Sequence, residues 1–304
     1  MKKLIICNLL AGLIALMYSC GEQRPSVHLL HSTDVNFPSA SAIEYYNNKL
    51  YLFGDDATYL LVLSTNHQLL DTITYWKEQV ERIDKKDKPD IESSMLLQNE
   101  KGLAVVGLGS MSGEKRWSAV EYYPGDSSVS ITSYYKPQDS FPGIQEINIE
   151  GSAGVNNTVV LANRANMKKP DNYLVFQKRD SSLETRKLIL PKDKIVTGVS
   201  GLFYVKSKDI LLLTASEEET NDAVSDGSIG ESYLGIISNF SKKMNDTELS
   251  PDQFIKLSGV DRAFVKQKVE SVCVEKEESG GLILHLVSDN DNGRSRIFKI
   301  RVEL

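Results

Sequence analysis

Five segments of the chain share one plan, and this repeat constrains the fold more than any other feature of the sequence. Each segment has a polar residue, a short apolar run, a turn, a second apolar run and a second polar residue. The leading polar residues are Ser41, Glu92, Glu150, Ser200 and Glu270, at spacings of 51, 58, 50 and 70 residues. The stretch after Glu270 and the stretch before Ser41 together supply one further interval of similar length. The repeat therefore closes on itself, as it would in a ring.

The apolar runs, such as Leu50–Phe53 and Leu103–Val106, have the length and composition of buried β-strands. Most intervals hold four such runs, and Val27–Leu30 near the N-terminus can supply the run that the last interval lacks. Four-stranded units at this period are typical of a β-propeller. We therefore predict an all-β fold, a single five-bladed β-propeller over residues 27–304, in which the N-terminal strand completes the last blade. Six blades are the alternative, because the 70-residue interval has room for another. Helical periodicity is almost absent, and only residues 76–84 would allow a turn or two.

The polar residues that frame each strand pair should meet at one mouth of the central channel. A hairpin places the start of its first strand beside the end of its second. If these two strands are the inner ones of every blade, their polar ends gather around the channel axis. The gathered set is Ser41, Asp55, Asp56, Glu92, Ser110, Glu150, Arg164, Ser200, Glu218, Glu270 and Asp289, with Arg116 close behind.

A cluster of carboxylates and arginines predicts a ligand site. Like charges raise one another's pKa, and a divalent cation, Ca²⁺ or Mg²⁺, would relieve the repulsion with oxygen ligands. The carboxylates assigned to the cation are Glu92, Glu150, Glu270 and Asp289. The residues assigned to a small polar or anionic ligand are Ser41, Asp55, Ser110, Arg116, Arg164 and Glu218. In one alternative the arginines pair with the carboxylates around water; in another each polar residue is a turn residue or a hydrogen bond between blades.

Other motifs give weaker evidence for a metal site or a catalytic site. Asp289–Gly293 resembles the opening of a calcium loop but lacks the closing glutamate, and Asn292–Gly293 is typical of a hairpin turn. Glu217–Glu219 with Asp222 fits a metal-binding loop and a solvated excursion equally well. The four histidines show no zinc spacing, and no nucleophile, base and acid stand at a recognisable spacing. The sequence therefore assigns no catalytic residue.

The N-terminus carries a targeting signal. Two lysines precede an apolar run from Leu4 to Leu16, which is too short to span a bilayer comfortably. The residues up to Cys20 resemble the cleavage site of a bacterial lipoprotein. We therefore predict an export signal over residues 1–19, a lipidated Cys20 with a tether over residues 20–26, and attachment to a membrane of the bacterial cell envelope. An ordinary signal peptide with an incidental cysteine is the alternative.

The net charge and the cysteine content limit the partners that this chain is expected to have. The net charge of −6 argues against nucleic acid as a partner. With Cys7 in the signal and Cys20 lipidated, Cys273 is left between two valines, where a packed thiol is expected. The expected partners are then a membrane through the lipid, and a small polar ligand or an envelope protein. We expect a monomer.

The chain resembles an uncharacterised family of bacterial lipoprotein propellers, distantly similar to the esterase-like phytase domains. The motifs that carry the resemblance are Lys88-Pro-Asp-Ile-Glu92, Gly107-Leu-Gly-Ser110 with Arg116, Asn148-Ile-Glu-Gly151 with Asn163-Arg164, Thr214-Ala-Ser-Glu-Glu-Glu-Thr220, Lys268-Val-Glu270 and Val287-Ser-Asp-Asn-Asp291. The resemblance implies a propeller and a phosphoester or ester substrate.

The expected function is therefore a membrane-anchored propeller that binds a small polar or anionic ligand at its channel mouth. Its enzymatic form would be a metal-assisted phosphoester or ester hydrolase. There the cation would polarise the ester and activate water, while Arg116 and Arg164 hold an anionic group. The alternative is a non-catalytic propeller that binds proteins or ligands at the envelope.

Overall fold

The computed structural model describes residues 25–133, 141–191, 194–223, 225, 227–290 and 293–304. The strands are β1 (Ser26–Val35), β2 (Ala40–Tyr46), β3 (Lys49–Gly54), β4 (Tyr59–Ser64), β5 (Leu69–Thr74), β6 (Ile91–Asn99), β7 (Gly102–Gly109), β8 (Ser118–Tyr123), β9 (Ser128–Ser133), β10 (Ile149–Val155), β11 (Thr158–Asn163), β12 (Asn172–Lys178), β13 (Leu183–Leu188), β14 (Thr197–Val205), β15 (Ile210–Glu218), β16 (Ile229–Ser238), β17 (Glu248–Leu249), β18 (Gln253–Lys256), β19 (Lys268–Glu278), β20 (Gly281–Asp289) and β21 (Ser295–Glu303). The helices are α1 (Phe240–Lys243) and four 3-10 turns, Glu114–Arg116, Lys206–Lys208, Leu257–Gly259 and Arg262–Phe264. The chain is nearly all-β, as predicted.

The described strands form five sheets, and each sheet is one blade. Blade 1 is β2–β5 and blade 2 is β6–β9; blade 3 is β10–β13 with β17; blade 4 is β14, β15, β16 and β18; blade 5 is β19–β21 with β1. The first strands of the five repeats, β2, β6, β10, β14 and β19, contact one another around the axis. The five-bladed β-propeller is therefore confirmed, with the predicted inner strands at its centre.

The 70-residue interval contains an excursion instead of a sixth blade. After β16 the chain forms α1, reaches across to blade 3 and pairs β17 with β13 in parallel over Lys187↔Glu248 and Leu188↔Leu249. It then returns as β18 to complete blade 4. Phe240 and Leu249 are buried in the apolar cluster between blades 3 and 4. The extra residues therefore cover one blade interface.

The ring closes through the N-terminal strand. β1 pairs antiparallel with β21 from Ser26↔Glu303 to Val35↔Ser295, so the first strand is the outermost strand of the last blade. This confirms the predicted closure. Hydrogen bonds between the two ends of the chain also cover an edge of β21 that would otherwise be open to pairing.

Apolar clusters fill the space between neighbouring blades, so both faces of each blade are covered by its neighbours. Cys273 is fully buried in the cluster shared by blades 5 and 1, as expected of a packed thiol, and burial raises its pKa. Asn47 and Asn48 connect β2 to β3 with φ of 50° and 61°, which is the turn that matches the twist of a hairpin. Residues 76–84 form no helix. Within the described ranges, no helix has the length and apolar character needed to cross a bilayer.

Candidate ligand site at the channel mouth

The hairpin of each blade delivers two polar positions to one end of the channel. In blade 5, Lys268 at the start of β19 pairs with Asp289 at the end of β20. In blade 3, Ile149 pairs with Asn163, which places Glu150 beside Arg164. The cavity at this end, which we call the acidic mouth, has a volume of about 90 Å³. Its described lining includes eight carboxylates but only five cationic side chains, so negative charge is in excess.

Nine of the predicted site residues line the acidic mouth. They are Ser41, Asp55, Glu92, Arg116, Glu150, Arg164, Glu218, Glu270 and Asp289. Ser110 lies behind the wall, where its hydroxyl donates to Asp90 at 2.5 Å. Asp56 and Ser200 are not in the wall: Asp56 pairs with Arg82 at 2.6 Å, and the Ser200 hydroxyl donates to the Val269 carbonyl at 2.7 Å.

Ser41 and Ser200 also connect neighbouring blades. The Ser41 hydroxyl donates to the carbonyl of Ile91 in blade 2, and Ser200 in blade 4 bonds to blade 5. For these two serines, a hydrogen bond between blades is the role seen in the structure.

Arg164 forms the centre of one half of the mouth. Its guanidinium lies 2.8 Å from Glu150, 3.2 Å from Glu218 and 3.9 Å from Glu270, and only 4% of its side chain is exposed. It also donates to the Ser216 hydroxyl at 3.0 Å. Burial opposes the charge, but the three carboxylates outweigh it and raise the pKa of Arg164, so the guanidinium stays charged.

Lys268 completes this half. Its ammonium lies 2.9 Å from Glu270 and 3.3 Å from Glu218. Burial would lower the pKa of Lys268, yet the two glutamates raise it well above its ordinary value. Burial would raise the pKa of Glu218, but Lys268 and Arg164 lower it. Two cations and three carboxylates thus form one buried network, which we call the Arg164 half.

The opposite half is built on Asp90. Its carboxylate accepts from Lys88 at 2.7 Å, from Arg116 at 2.8 Å and from Ser110. Lys88 also contacts Oδ2 of Asp55. The second oxygen of Asp55, Oδ1, is buried and has no hydrogen-bond partner. This carboxylate is therefore only half satisfied by the protein.

Glu92 lies beside Asp55 and Asp90, and one carboxylate oxygen from each of the three residues lies within 4.8 Å of the other two. In the described part of the chain, no hydrogen bond or ion pair reaches the Glu92 carboxylate. Burial raises its pKa well above the ordinary value, and Asp90, Asp55 and Glu150 raise it further. We call Asp55, Asp90 and Glu92 with their cations the Glu92 half.

Sequence reasoning missed several of the polar and charged residues in this wall. Asp90, Asn148 and Lys268 each stand two positions before an inner-strand glutamate, at Glu92, Glu150 and Glu270. This recurring spacing was the available signal, although only Lys268 lies within a strand, and Asp90 and Asn148 come just before theirs. Lys88 and Lys85 come from the irregular segment before β6 and follow no such rule.

Blade 4 breaks the pattern with a glycine. Gly198 occupies the position two before Ser200, and a Cβ there would lie 2.6 Å from Cγ of Arg164. Gly198 therefore leaves the space through which Arg164 of blade 3 extends to Ser216 and Glu218 of blade 4.

Comparison with known proteins assigns a family. A protein-family match spans residues 36–302, which is most of the chain. The chain belongs to a family of unknown function (DUF6929). No protein among the curated sequences matches it.

Solved structures share the fold. The chain is similar to glutaminyl cyclase from Myxococcus xanthus, with 12% identity and a TM-score of 0.53 over 92% of this chain and 97% of that one. It is also similar to the native arabinanase Arb43A from Bacillus subtilis, with 11% identity and a TM-score of 0.47 over 89% of this chain and 95% of that one. The first of these likenesses shows the fold alone, and nothing is concluded from the second, whose TM-score is below 0.5.

The predicted lipidation site, Cys20, and the predicted export signal lie outside the described residues.

Proposed function

We propose that the protein is a cation-dependent binding propeller of the cell envelope, which holds Ca²⁺ or Mg²⁺ in the Glu92 half of its acidic mouth and a small polar ligand on that ion. The observation that carries the proposal is the unpaired carboxylate of Glu92 facing the unpartnered, buried Oδ1 of Asp55. Glu92 is only partly buried, and its crowding against two other carboxylates favours either a proton or a cation on it.

The geometry suits a metal ion. A point equidistant from three oxygens that are 4.8 Å apart lies about 2.8 Å from each, close to the roughly 2.3–2.6 Å of calcium–oxygen bonds. The oxygens without a partner are Oδ1 of Asp55 and those of Glu92, and an ion would share its third oxygen, from Asp90, with Lys88 or Arg116. Of the four carboxylates that the sequence assigned to the ion, we keep Glu92. We do not place the ion on Glu150 and Glu270, because Arg164 and Lys268 already form ion pairs with them.

The size of the cavity limits the ligand. A volume of about 90 Å³ accommodates an ion with a few waters and is far below the roughly 300 Å³ at which pockets begin to enclose drug-sized ligands. Arg116 and Arg164 are both engaged with carboxylates, so an anionic ligand would depend on the ion for its attraction.

Hydrolysis of a phosphoester or ester would be the catalytic form of this proposal. The body of the substrate would lie outside the mouth with one oxygen on the ion, which would polarise the bond and activate water. The resemblance to the phytase-like domains supports this form. A purely binding protein would use the same ion without turnover.

The cell-envelope assignment rests on the N-terminal signal. β1 begins at Ser26, six residues after Cys20, and an extended tether of that length spans at most roughly 20 Å. A lipid on Cys20 would therefore hold blade 5 close to the membrane surface.

Thermal unfolding with Ca²⁺, Mg²⁺ or EDTA tests the proposal. We expect an excess of one of the two ions to raise Tm, because an ion that binds only the folded state stabilises it, by about 2.7 kcal/mol at a hundredfold excess over Kd. Glu92→Gln should abolish the rise in Tm. The control Glu184→Gln, which removes only an exposed ion pair with Lys178, should keep it. Titration calorimetry should show a proton released on binding and affinity rising with pH, because burial and neighbouring carboxylates raise the pKa of Glu92.

Identical melting curves in either ion and in EDTA would refute the cation site. If the ion binds, a panel of phosphoesters and carboxylic esters then separates the two forms: turnover lost in Glu92→Gln supports the hydrolase, and no turnover supports the binding protein.

A further inference from the structure

A second cavity lies farther along the inner strands. It has a volume of about 160 Å³, and its walls include Glu44, Met95, Ala153 and Phe203. Each of these residues stands three positions beyond a residue of the first polar ring, namely Ser41, Glu92, Glu150 or Ser200. Three residues of a strand cover about 10 Å, so this cavity is displaced by that distance from the acidic mouth. Gly154, which lines the cavity, is exposed, so the cavity reaches the protein surface beside this residue.

Glu44 is the one carboxylate in this wall, as the structure describes it. Only 3% of the residue is exposed. Its Oε1 accepts the backbone N–H of Tyr45 at 3.0 Å, and no cationic side chain of the described ranges pairs with it. Burial of a carboxylate without a countercharge is costly, so a fold that retains it inside a cavity invites a cationic occupant.

The rest of the wall selects the kind of cation. Met95, Leu96, Ala153 and Phe203 present apolar surface, which offers no oxygen ligands to a metal ion. One further polar group is free: the Ser152 hydroxyl lines the cavity, is 1% exposed and has no hydrogen-bond partner. An ammonium group has several N–H donors, and the carboxylate and this hydroxyl are two acceptors for them.

We propose that this cavity binds a small organic cation, a primary ammonium on a short aliphatic chain, with the ammonium on Glu44 and Ser152 and the alkyl group against Met95, Leu96 and Phe203. The volume fits this class, because a cavity of about 150 Å³ lined by apolar side chains accommodates a molecule the size of benzene. The Phe203 ring adds a surface that attracts cations. The site does not depend on the ion proposed for the acidic mouth.

The proposal implies a pH dependence. Burial raises the pKa of Glu44 to about 8, so the empty site holds a proton at neutral pH and must release it when an ammonium binds. Of the titratable groups on adjoining strands, Tyr51 on β3, Tyr204 on β14 and Cys273 on β19 have pKa values raised by burial, so these three stay neutral through this range. Apparent affinity should therefore fall by about tenfold per pH unit below pH 8.

The probe is isobutylammonium, with isobutanol as its neutral counterpart of the same size, and binding is measured by ligand-observed NMR. We expect saturable binding of the amine to the wild-type protein, at least about tenfold weaker binding of isobutanol, and a loss of about tenfold or more in Glu44→Gln. Glu92→Gln, which alters only the acidic mouth, should bind the amine within about twofold of wild type.

A second measurement needs no variant. In wild-type protein carrying ¹³C-labelled glutamate, one carboxyl signal should move from its protonated to its ionised position when the amine is added at neutral pH. The proposal is overturned if the wild-type protein shows no saturable binding, if Glu44→Gln binds equally well, if Glu92→Gln alone loses the amine, or if no carboxyl signal ionises.

Discussion

The two halves of the acidic mouth solve the same electrostatic problem in different ways. In the Arg164 half, three glutamates surround two buried cations, and the cations contact all three. In the Glu92 half, Lys88 and Arg116 satisfy Asp90 but leave one oxygen of Asp55 and the whole of Glu92 without a partner. Both halves hold three carboxylates and two cations, but every carboxylate contacts a cation on one side of the mouth, whereas Glu92 contacts none on the other.

This difference separates structural from ligand-binding charge. A buried network in which every charged group is paired holds strands together. Removal of one group leaves its partners buried without a countercharge, which costs their full desolvation energy. Arg164 belongs to blade 3, Glu218 to blade 4 and Glu270 to blade 5, so the network connects three blades at the axis. The Glu92 half has the unsatisfied oxygens that a ligand requires. The comparison thus predicts large stability effects on one side and pH or ligand effects on the other.

The largest effect is expected for Arg164→Met. The substitution keeps most of the side-chain volume but leaves three buried glutamates around an apolar group, and breaking a buried ion pair by removing one partner costs about 3–5 kcal/mol. Urea unfolding at neutral pH measures this loss.

Arg186→Met is the matched control. Arg186 contacts Glu184 at 2.8 Å, but 22% and 38% of the two side chains are exposed, so its loss should cost less than about 1 kcal/mol. Equal losses in the two variants would remove the distinction between the halves.

The second effect concerns the pH dependence of stability in EDTA. The pKa of the Glu92 carboxyl is raised in the folded state by burial and by its acidic neighbours. Its contribution to the free energy of unfolding is therefore fully present below pH 4.5 and is lost as pH rises towards the pKa of the folded state. Relative to Glu92→Gln, the wild-type protein should therefore lose stability as pH rises above this point, by at most about 1.4 kcal/mol per pH unit. Urea midpoints of both proteins across this range provide the measurement.

Parallel curves for wild type and Glu92→Gln would show that Glu92 has a partner in solution, which would contradict the difference between the halves. Addition of the bound ion should also reduce the difference, because the ion replaces the proton on the carboxylate.

The contrast between the halves also marks what could be predicted from the sequence. The repeat period and the strand–turn–strand pattern are local, so they predicted five blades, the closing N-terminal strand and the strand ends that meet at the mouth. The pairing of charges is not local: Arg164 is 52 and 54 residues from its partners Ser216 and Glu218 in the next blade. The direction in which its side chain extends depends on the space left at Gly198, which the repeat does not reveal. For this reason the sequence left two roles open for Arg164, binding an anionic ligand and pairing with carboxylates, and the structure shows the pairing.

Gly198→Ala tests that space and should have the smallest of the three effects. The added Cβ would lie 2.6 Å from Cγ and 2.7 Å from Nε of Arg164, so the guanidinium must shift from its glutamates. Overpacking typically costs 1–3 kcal/mol, and the reduced freedom of the unfolded chain returns part of this, so we expect a net loss of about 1–2 kcal/mol of stability.

Gly154→Ala on inner strand β10 is the control, because the nearest neighbour of the added Cβ, the Leu96 carbonyl, is 4.0 Å away. In an Arg164→Ala background, Gly198→Ala should cost less than it does alone, because both Arg164 atoms nearest to the added Cβ, Cγ and Nε, are gone. An equal cost in both backgrounds would mean that the glycine serves the backbone of β14 and not the path of Arg164. The pH slope assigned to Glu92 should stay unchanged in Gly198→Ala, because the crowding acts on the other half of the mouth.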